Sequence, residues 1–415
     1  MKNISDIVDY QQCNGCGACS YIAPDSIRMV DFEDYGIRPV ETRPLTEKEQ
    51  ASAIKVCSGI SLSHDKSEYS TDINEQLFDM WGPVLEVYEG YATDSHSRWK
   101  GSSGGLLTAL SLFAVDKGEF SGVLHTVPSK SDPVVNRAHY STTREDILRA
   151  SGSRYAPSSP LSKLSEVVSR KNSVVIGKPC DIAALYKLQK ENQAVANSVG
   201  VSLAFFCAGV PSTTGNREYI KNQLGCEPTN IHSLKYRGEG WPGVWRVNAN
   251  IDDVSTQSES SYAESWSVLQ KSRQWRCYIC PDHSGEFADI SVGDPWYREV
   301  KDGEPGSSLI VVRSEKGRKY LNDAVSAGFI TLIKADSSLI EKSQPNLIAA
   351  RGGLWGRLLM LKLSGAPRPS YNNFKFFKYW IPLSFSLKKS SIFGTIKRIF
   401  VKKMHKRISI SRQDY

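Results

Sequence analysis

Short apolar runs alternate with helical patterns along most of the 415-residue chain. The runs 173–177 and 199–206 consist mainly of apolar residues, as expected of strands buried on both faces of a sheet. Each run is followed by apolar residues at helical spacing, in 182–191 and 214–224, so these segments predict strand–helix units with parallel strands. The pattern therefore predicts an α/β (α+β) fold for the body of the protein.

Pattern and composition divide the chain into four parts. Residues 1–80 form a small cysteine-rich module, and its polar, serine-rich end at 61–74 is expected to be a linker. Residues 81–170 and 171–345 carry the alternating strands and helices of the body. Residues 346–415 form a tail of different composition. No internal repeat is visible.

Positive charge is concentrated in that tail. The chain has 52 Lys plus Arg and 44 Asp plus Glu, but residues 346–415 hold 15 of the bases and only one acid, Asp414. The preceding part is therefore mildly acidic, with 37 basic and 43 acidic residues. A basic tail on such a body indicates contact with a surface or a partner, and it argues against nucleic-acid binding.

The tail also carries a pattern typical of membrane surfaces. Residues 354–363 are apolar with interspersed cations, and five aromatic residues follow between 374 and 380. In 392–410, apolar residues recur every three or four positions with lysines and arginines between them. This predicts a basic amphipathic helix lying on an anionic membrane. The alternative is a helical tail packed on the body or on an acidic partner.

The remaining composition predicts a cytoplasmic protein. The first ten residues have no apolar run, so no secretory signal is expected. No run of 18 apolar residues exists that would need to span a bilayer. Nine cysteines in so long a chain do not suggest a disulfide framework; because they are clustered, they indicate metal ligation in a reducing compartment. Attachment to the inner face of the membrane follows as a hypothesis from the tail.

The first cysteines have the spacing of an iron–sulfur loop. Cys13, Cys16 and Cys19 follow the C-x2-C-x2-C part of the ferredoxin pattern C-x2-C-x2-C-x3-C-P, but Ala23 stands in place of the last cysteine. The nearest fourth ligand is Cys57, which follows a helix predicted over 46–56 with a capping box. The set predicts a 4Fe-4S cluster, with a structural zinc site as the alternative.

A second tetrad can be assembled from the other cysteines. Cys277 and Cys280 form a C-x2-C pair, and Cys180 and Cys207 each follow a predicted buried strand, at the sheet edge where ligands collect in α/β folds. Cys226 lacks such a context and is left out. The four predict a second 4Fe-4S cluster; zinc or buried free thiols are the alternatives.

Two loops of small residues are candidates for anion binding. Ser102, Ser103, Gly104 and Gly105 precede a predicted helix, whose free N–H groups and positive dipole end suit a phosphate. The alternative is a flexible turn before a core helix. The loop 151–155 is similar and adds a cation.

These segments, taken together, resemble the beta subunit of the coenzyme F420 hydrogenase/dehydrogenase family. The resemblance covers residues 10 to about 345 and lies in the cysteine loop with Cys57, in 101–105, 151–155, 177–185, 206–212, 236–243, 277–282 and 288–294.

The resemblance implies an oxidoreductase that carries FAD beside iron–sulfur clusters. Electrons would pass between a ferredoxin-like carrier or partner subunit and a small redox substrate. Archaeal members use coenzyme F420, and some bacterial members are linked with polysaccharide production. The cofactor-binding candidates that it implies, together with basic residues suited to flavin or substrate anions, are Ser102, Ser103, Gly104, Gly105, Ser153, Arg154, Tyr155, Lys178, Arg237 and Trp241.

Two other functions are compatible with the same residues. One is an electron-transfer adaptor that carries clusters but has no substrate site. The other is a scaffold on a degenerate enzyme fold, against which two complete cysteine tetrads argue. The sequence identifies no catalytic proton donor.

Overall fold

The computed structural model describes residues 1–301, 303–408 and 410, and it begins with a module built around the cysteine loop. The module comprises α1 (Ile4–Asp9), α2 (Ala18–Ile22), β1 (Ile27–Phe32), β2 (Gly36–Glu41), α3 (Glu47–Lys55) and β3 (Ser61–Ser63). β1 and β2 pair antiparallel. α3 begins at the predicted capping box, in which Thr46 and Glu49 satisfy each other's backbone N–H groups. It ends at Lys55, one residue earlier than predicted, and Cys57 follows the C-cap Val56.

The body contains the predicted alternation of strands and helices. Its elements are α4 (Glu75–Trp81), β4 (Glu86–Ala92), α5 (Ser95–Lys100), α6 (Leu106–Asp116), β5 (Val123–Pro128), β6 (Asn136–Ser141), α7 (Arg144–Arg149), α8 (Leu164–Arg170), β7 (Ser173–Gly177), α9 (Pro179–Glu191), α10 (Gln193–Ser198), β8 (Val199–Phe205), α11 (Thr213–Leu224), β9 (Asn230–Lys235), β10 (Val244–Ile251), β11 (Val254–Ser261), α12 (Tyr262–Leu269), α13 (Trp275–Tyr278), β12 (Ile290–Gly293), β13 (Ser308–Val312), α14 (Glu315–Ser326) and β14 (Ile330–Lys334). Short 3-10 helices lie at Lys66–Glu68, Ser103–Gly105, Pro160–Lys163 and Gln270–Ser272.

An eight-stranded mixed sheet organises the body, in the order β14-β4-β13-β12-β8-β7-β5-β6. The four strands β12, β8, β7 and β5 are parallel, and the outer strands are antiparallel. Val174 and Val175, adjacent on β7, belong to apolar clusters on opposite faces of the sheet. Because both faces are covered, β7 and β8 are almost wholly apolar, and the predicted α/β (α+β) fold is confirmed.

A smaller sheet of β11, β10 and β9 stands beside the main one. The sequence did not predict β11, whose residues are polar and mostly exposed. β11 pairs with β10 along its whole length through a hairpin at Asp252–Asp253. A solvent-facing edge strand of this kind has little apolar patterning to reveal it.

The tail packs against the body. The tail and the residues just before it form α15 (Ser338–Ser343), α16 (Pro345–Leu363), β15 (Ser370–Asn372), α17 (Phe376–Trp380) and α18 (Phe385–Val401). β15 pairs with β3, so the linker expected at 61–74 is wrong in its first residues, which form a strand with the tail. The amphipathic helix predicted over 392–410 begins earlier and ends at Val401; Ser409 and residues 411–415 lie outside the described part. Within that part, no helix has both the length and the apolar character needed to cross a bilayer.

Candidate functional site

The first four cysteines line one small pocket. Cys13, Cys16, Cys19 and Cys57 surround a volume of about 20 Å³ at the end of α3. The loop turns tightly against the body at Gly17, which has a φ of +90° and where an added Cβ would lie 2.5 Å from Ser162 N. A glycine is therefore required for the loop to wrap this pocket while packing on the segment 159–162.

The second set also comes together. Cys180 lies in the first turn of α9, Cys207 follows β8, and Cys277 and Cys280 lie on and just after α13; all four line a pocket of about 30 Å³. Cys226, next to the αL glycine that ends α11, lines neither cysteine pocket.

Each tetrad offers the donor set of an iron–sulfur cluster. Burial raises the pKa of Cys16, Cys19 and Cys57, and the neighbouring thiols raise it further. Burial likewise raises the pKa of Cys207 and of Cys280 to about 12. Unligated thiols in these pockets would therefore stay protonated, whereas metal coordination would deprotonate them. Within the described residues, no group of three or more His, Cys, Asp or Glu is placed to hold a single metal ion.

Cations accompany both tetrads; Arg38, Arg276 and Lys178 are buried, and Lys187 is half-buried. Lys187 Nζ donates to the Cys57 carbonyl at 3.0 Å, and Arg276 Nη2 donates to the Ser58 carbonyl at 3.1 Å. Arg38 is 3% exposed. Burial lowers the pKa of Lys178, but the charge of Asp181, followed by that of Cys180 and Cys207, outweighs burial and raises it. Lys178 is paired with Asp181, and the other three cations suit groups that are anionic when bound.

The two cysteine pockets and a larger cavity lie in series. Asn14 lines both cysteine pockets, and its Nδ2 donates at 2.9 Å to Ser58 Oγ, which donates at 2.8 Å to the Cys180 carbonyl. Cys207, with Gly209 and Val210, lines both the second cysteine pocket and a cavity of about 260 Å³. The second tetrad therefore lies between the first tetrad and the cavity.

The larger cavity opens at the carboxyl ends of the parallel strands, the edge predicted to collect ligands. The predicted residues in its wall are Ser102, Ser103, Gly105, Ser153, Arg154, Tyr155, Lys178 and Arg237. The two small-residue loops meet there, because Ser102 Oγ accepts hydrogen bonds from Ser153 N at 3.0 Å and Ser153 Oγ at 2.9 Å. α6 has Gly105 as its N-cap and no side-chain hydrogen bond there, and Gly105, Leu107 and Thr108 line the cavity.

Gly104 and Trp241 lie behind the cavity wall. Gly104 has a φ of +71°, and a Cβ there would lie 2.8 Å from Ser307 Cα, so its contact is with neighbouring backbone. Trp241 is buried, and its ring lies 5.2 Å from that of Trp296, which does line the cavity. Both residues therefore support the wall from behind.

The three predicted cations already have protein partners. Arg237 pairs with Asp294, and Lys178 Nζ lies 2.7 Å from Asp181 Oδ2. Arg154 donates only to uncharged acceptors, among them Asn136 Oδ1 at 2.8 Å and the Leu234 carbonyl at 3.0 Å. Of the three, Arg154 is therefore the one whose positive charge is not compensated by an ion pair.

Several lining residues were not predicted as site residues. Asp181 Oδ1 is buried without a hydrogen-bond partner among the described residues, so it is an acceptor that a polar ligand could satisfy. Tyr262, Trp266 and Trp296 provide an aromatic side. Asp181 follows the strand predicted over 173–177, and Asp294 ends the segment 288–294 of the family resemblance; these signals could have identified both. α12, which carries Tyr262 and Trp266, was not predicted.

Comparison with known proteins shows the family to which the chain belongs. Models for the N-terminal and C-terminal parts of the coenzyme F420 hydrogenase/dehydrogenase beta subunit match residues 87–166 and 170–338. The chain is 27% identical over 257 residues to the coenzyme F420 hydrogenase subunit beta of Methanococcus voltae, covering 60% of this chain and 84% of the relative. It is 24% identical over 275 residues to the protein of the same name from Methanosarcina barkeri, covering 64% of this chain and 86% of the relative.

A solved structure shares the fold. A chain of the F420-reducing [NiFe] hydrogenase complex from Methanosarcina barkeri superposes with a TM-score of 0.50 at 21% identity, covering 66% of this chain and 94% of that one. The tail after residue 338 lies outside both family matches.

Proposed function

Because the chain belongs to the coenzyme F420 hydrogenase/dehydrogenase beta-subunit family, a family of redox subunits, we propose that it is an iron–sulfur flavoprotein oxidoreductase. It relays electrons between a ferredoxin-like carrier or partner subunit and a small redox substrate. Bound 4Fe-4S clusters would supply one-electron transfer, and bound FAD would couple it to two-electron transfer. The substrate is F420-like or an intermediate of glycan synthesis.

The observation that carries this proposal is the series of three pockets with shared walls. Asn14 is common to the two tetrads, and Cys207 is common to the second tetrad and the cavity. An electron relay requires redox centres that lie close to one another in space, one after the next. A zinc site or a scaffold does not require such an arrangement. The chain's own part is to hold the centres, to exclude water from them and to compensate their charge.

The cavity offers groups that suit FAD. The uncapped start of α6 and the uncompensated charge of Arg154 favour phosphate at one side. Tyr262, Trp266 and Trp296 offer flat apolar surface to an aromatic ring system. The unpaired Asp181 Oδ1 offers an acceptor to an N–H or O–H donor of a ligand.

We propose a cytoplasmic location, since all nine cysteines are free thiols in a chain rich in clustered cysteine. Attachment to the inner face of the membrane is supported by one surface of α18. Phe385, Lys389, Phe393, Lys397 and Phe400 follow one another every three or four residues on its exposed side. The buried side of the helix carries Ser391, Thr395 and Ile399.

This stripe combines the two attractions that hold peripheral proteins on anionic lipid. Phe385 is 82% exposed, and Phe393 and Phe400 are each more than 60% exposed. Lys389 and Lys397 form no ion pair with any described residue. Aromatic rings can enter the headgroup region while the lysines meet lipid phosphates.

The alternative function is an electron-transfer adaptor without a substrate of its own. It would hold clusters but leave the cavity without flavin. Anaerobic purification of the full chain, followed by an absorption spectrum and by counts of iron, sulfide and flavin, separates the two. Two clusters with one FAD support the proposal; clusters without flavin favour the adaptor; stoichiometric zinc without sulfide contradicts both.

A further inference from the structure

Arg38 lies between the two tetrads. On the side of the first, its Nη1 is 3.7 Å from the place where Gly15, inside the first cysteine loop, would carry a Cβ. On the side of the second, its Nη2 donates at 3.0 Å to Oε1 of Gln274, which lines the second cysteine pocket. Burial lowers the pKa of Arg38, and negative charge on Cys13 and Cys277 opposes this shift. Arg38 thus has neighbours in both tetrads.

Arg276 occupies a similar position from the other direction. Its Nη2 donates to the carbonyl of Ser58, next to Cys57, and its Nη1 donates at 3.0 Å to the carbonyl of Ile279, next to Cys280. Its side chain is also 3% exposed, and its Nε–H has no hydrogen-bond partner among the described residues. A buried donor without a partner suits a negatively charged acceptor nearby.

Lys187 provides a contrast. Its Nζ donates to the carbonyls of Cys57 and Ser61 at 3.0 Å. The cysteines whose charge bears on it, Cys57 and Cys16, both belong to the first tetrad. Of these three cations, Arg38 and Arg276 are therefore shared by both tetrads, whereas Lys187 serves the first tetrad alone.

We propose that Arg38 and Arg276 are shared charges that raise the reduction potentials of both iron–sulfur clusters together. The inference rests on the proposed function, because it takes each tetrad to hold a cluster. Reduction of a cluster by one electron adds one negative charge, which a fixed cation stabilises, and burial leaves that attraction poorly screened. A cation near one cluster would raise the reduction potential of that cluster alone. A cation shared by both clusters raises both reduction potentials.

The test is a redox titration of the full chain, purified anaerobically, with dithionite as reductant and electron paramagnetic resonance as the readout. We expect Arg38→Gln and Arg276→Gln each to lower both midpoint potentials. The equilibrium constant for reducing each cluster should fall by at least about tenfold, which is about 59 mV for one electron. Arg38→Lys keeps the charge and should restore most of the loss. Lys187→Gln should lower the potential of the first cluster alone.

Each outcome decides between the two proposals. Signals are assigned with Cys16→Ser, which should lack the first cluster. If the wild-type protein has two clusters but neither glutamine variant shifts both potentials, the shared-charge inference is overturned and the proposed function stands. A wild-type protein without iron and sulfide overturns both. If Arg38→Gln does not assemble its clusters, Arg276→Gln decides alone.

Discussion

The carboxylate of Asp294 holds the guanidinium of Arg237 by two hydrogen bonds, of 2.8 Å to Nη1 and 2.6 Å to Nη2. It also accepts from Trp241 Nε1 at 2.8 Å and from Ser103 Oγ at 2.5 Å. Burial would raise the pKa of Asp294, but the charge and hydrogen bonds of Arg237 outweigh it and the pKa is lowered. One carboxylate thus joins the end of β12 to both the first small-residue loop and the aromatic loop 236–243.

We predict that Asp294→Asn destabilises the protein by about 3–5 kcal/mol, because it leaves the buried Arg237 without its counter-charge. The measurement is the free energy of unfolding in denaturant. Asp323→Asn is the control, since it breaks the exposed pair with Lys319 and should cost less than about 1 kcal/mol. An equal decrease in the free energy of unfolding for the two variants would show that the buried ion pair contributes no more than the exposed one.

The two cysteine tetrads predict that each holds half of the bound iron. Two four-iron clusters give about eight iron and eight sulfide per chain. Cys16→Ser should remove about half of both, and Cys180→Ser should remove the other half. Cys226→Ser should change nothing, because Cys226 lies in neither pocket. Iron and acid-labile sulfide are counted after anaerobic purification; a loss of all iron in either single variant would contradict two independent sites.

The lining of the cavity indicates which substitution should weaken FAD binding. Thr108, in the first turn of α6, lines the cavity but neither cysteine pocket. Thr108→Phe should fill part of the 260 Å³ volume and weaken flavin binding by at least about tenfold, with the iron content unchanged. Thr256→Phe, on the edge strand β11, is the matched control. Full flavin occupancy in Thr108→Phe would place the flavin elsewhere. Gly104 is less suitable, because a side chain there meets the backbone of Ser307 and would disturb the fold itself.

The lowered pKa of His125 predicts that the protein becomes less stable in acid. It is buried at the cavity, and burial, followed by the charge of His139, lowers its pKa from 6.5 to about 4. Below pH 6.5 the unfolded chain binds a proton that folded His125 does not, so stability falls as the pH drops toward 4, by about 3 kcal/mol. His125→Gln should remove this part of the slope in unfolding measurements across pH 7 to 4, whereas exposed His96→Gln should not. Parallel slopes for wild type and His125→Gln would contradict the shift.

The fold was largely predictable because its central strands are buried on both faces. The apolar runs of β7 and β8, each followed by a helix, predicted the parallel centre of the sheet and the edge at which Cys180 and Cys207 lie. The family was identifiable from the same motifs. β11 was missed because its residues are polar and face solvent, and the strand β3 was missed because its partner, β15, lies about 300 residues away in the sequence.

The candidate site was less predictable, because its chemistry depends on pairings across the chain. Nothing in the residue pattern indicates that Arg237 and Lys178 are neutralised by Asp294 and Asp181, whereas Arg154 is not. The pattern likewise cannot show that Asn14 is common to two pockets. The assignments of cysteines to clusters and of loops to flavin stay predictions until the cofactors are measured.

The tail predicts binding to anionic membranes through α18. The surface available to a membrane is smaller than the tail sequence suggested. Leu354, Leu361 and Phe376 belong to the core and cannot contact lipid. For the same reason, a chain ending at Pro345 would expose that core, so point variants on the surface are the better test. Replacing Phe385, Phe393 and Phe400 together by serine removes the exposed rings and should leave the buried face of the helix intact.

We expect the wild-type chain to float with vesicles containing phosphatidylserine and not with neutral phosphatidylcholine vesicles. Each lysine or arginine near the lipid contributes on the order of 1 kcal/mol, so binding should weaken as salt rises. The triple serine variant should lose most of its binding. The control carries serine at Val254, Val300 and Ile333, which are exposed apolar residues of the body, and should bind like wild type. Equal flotation of the two triple variants, or no flotation of the wild type at low salt, would reject the membrane and leave an acidic partner protein as the occupant of this stripe.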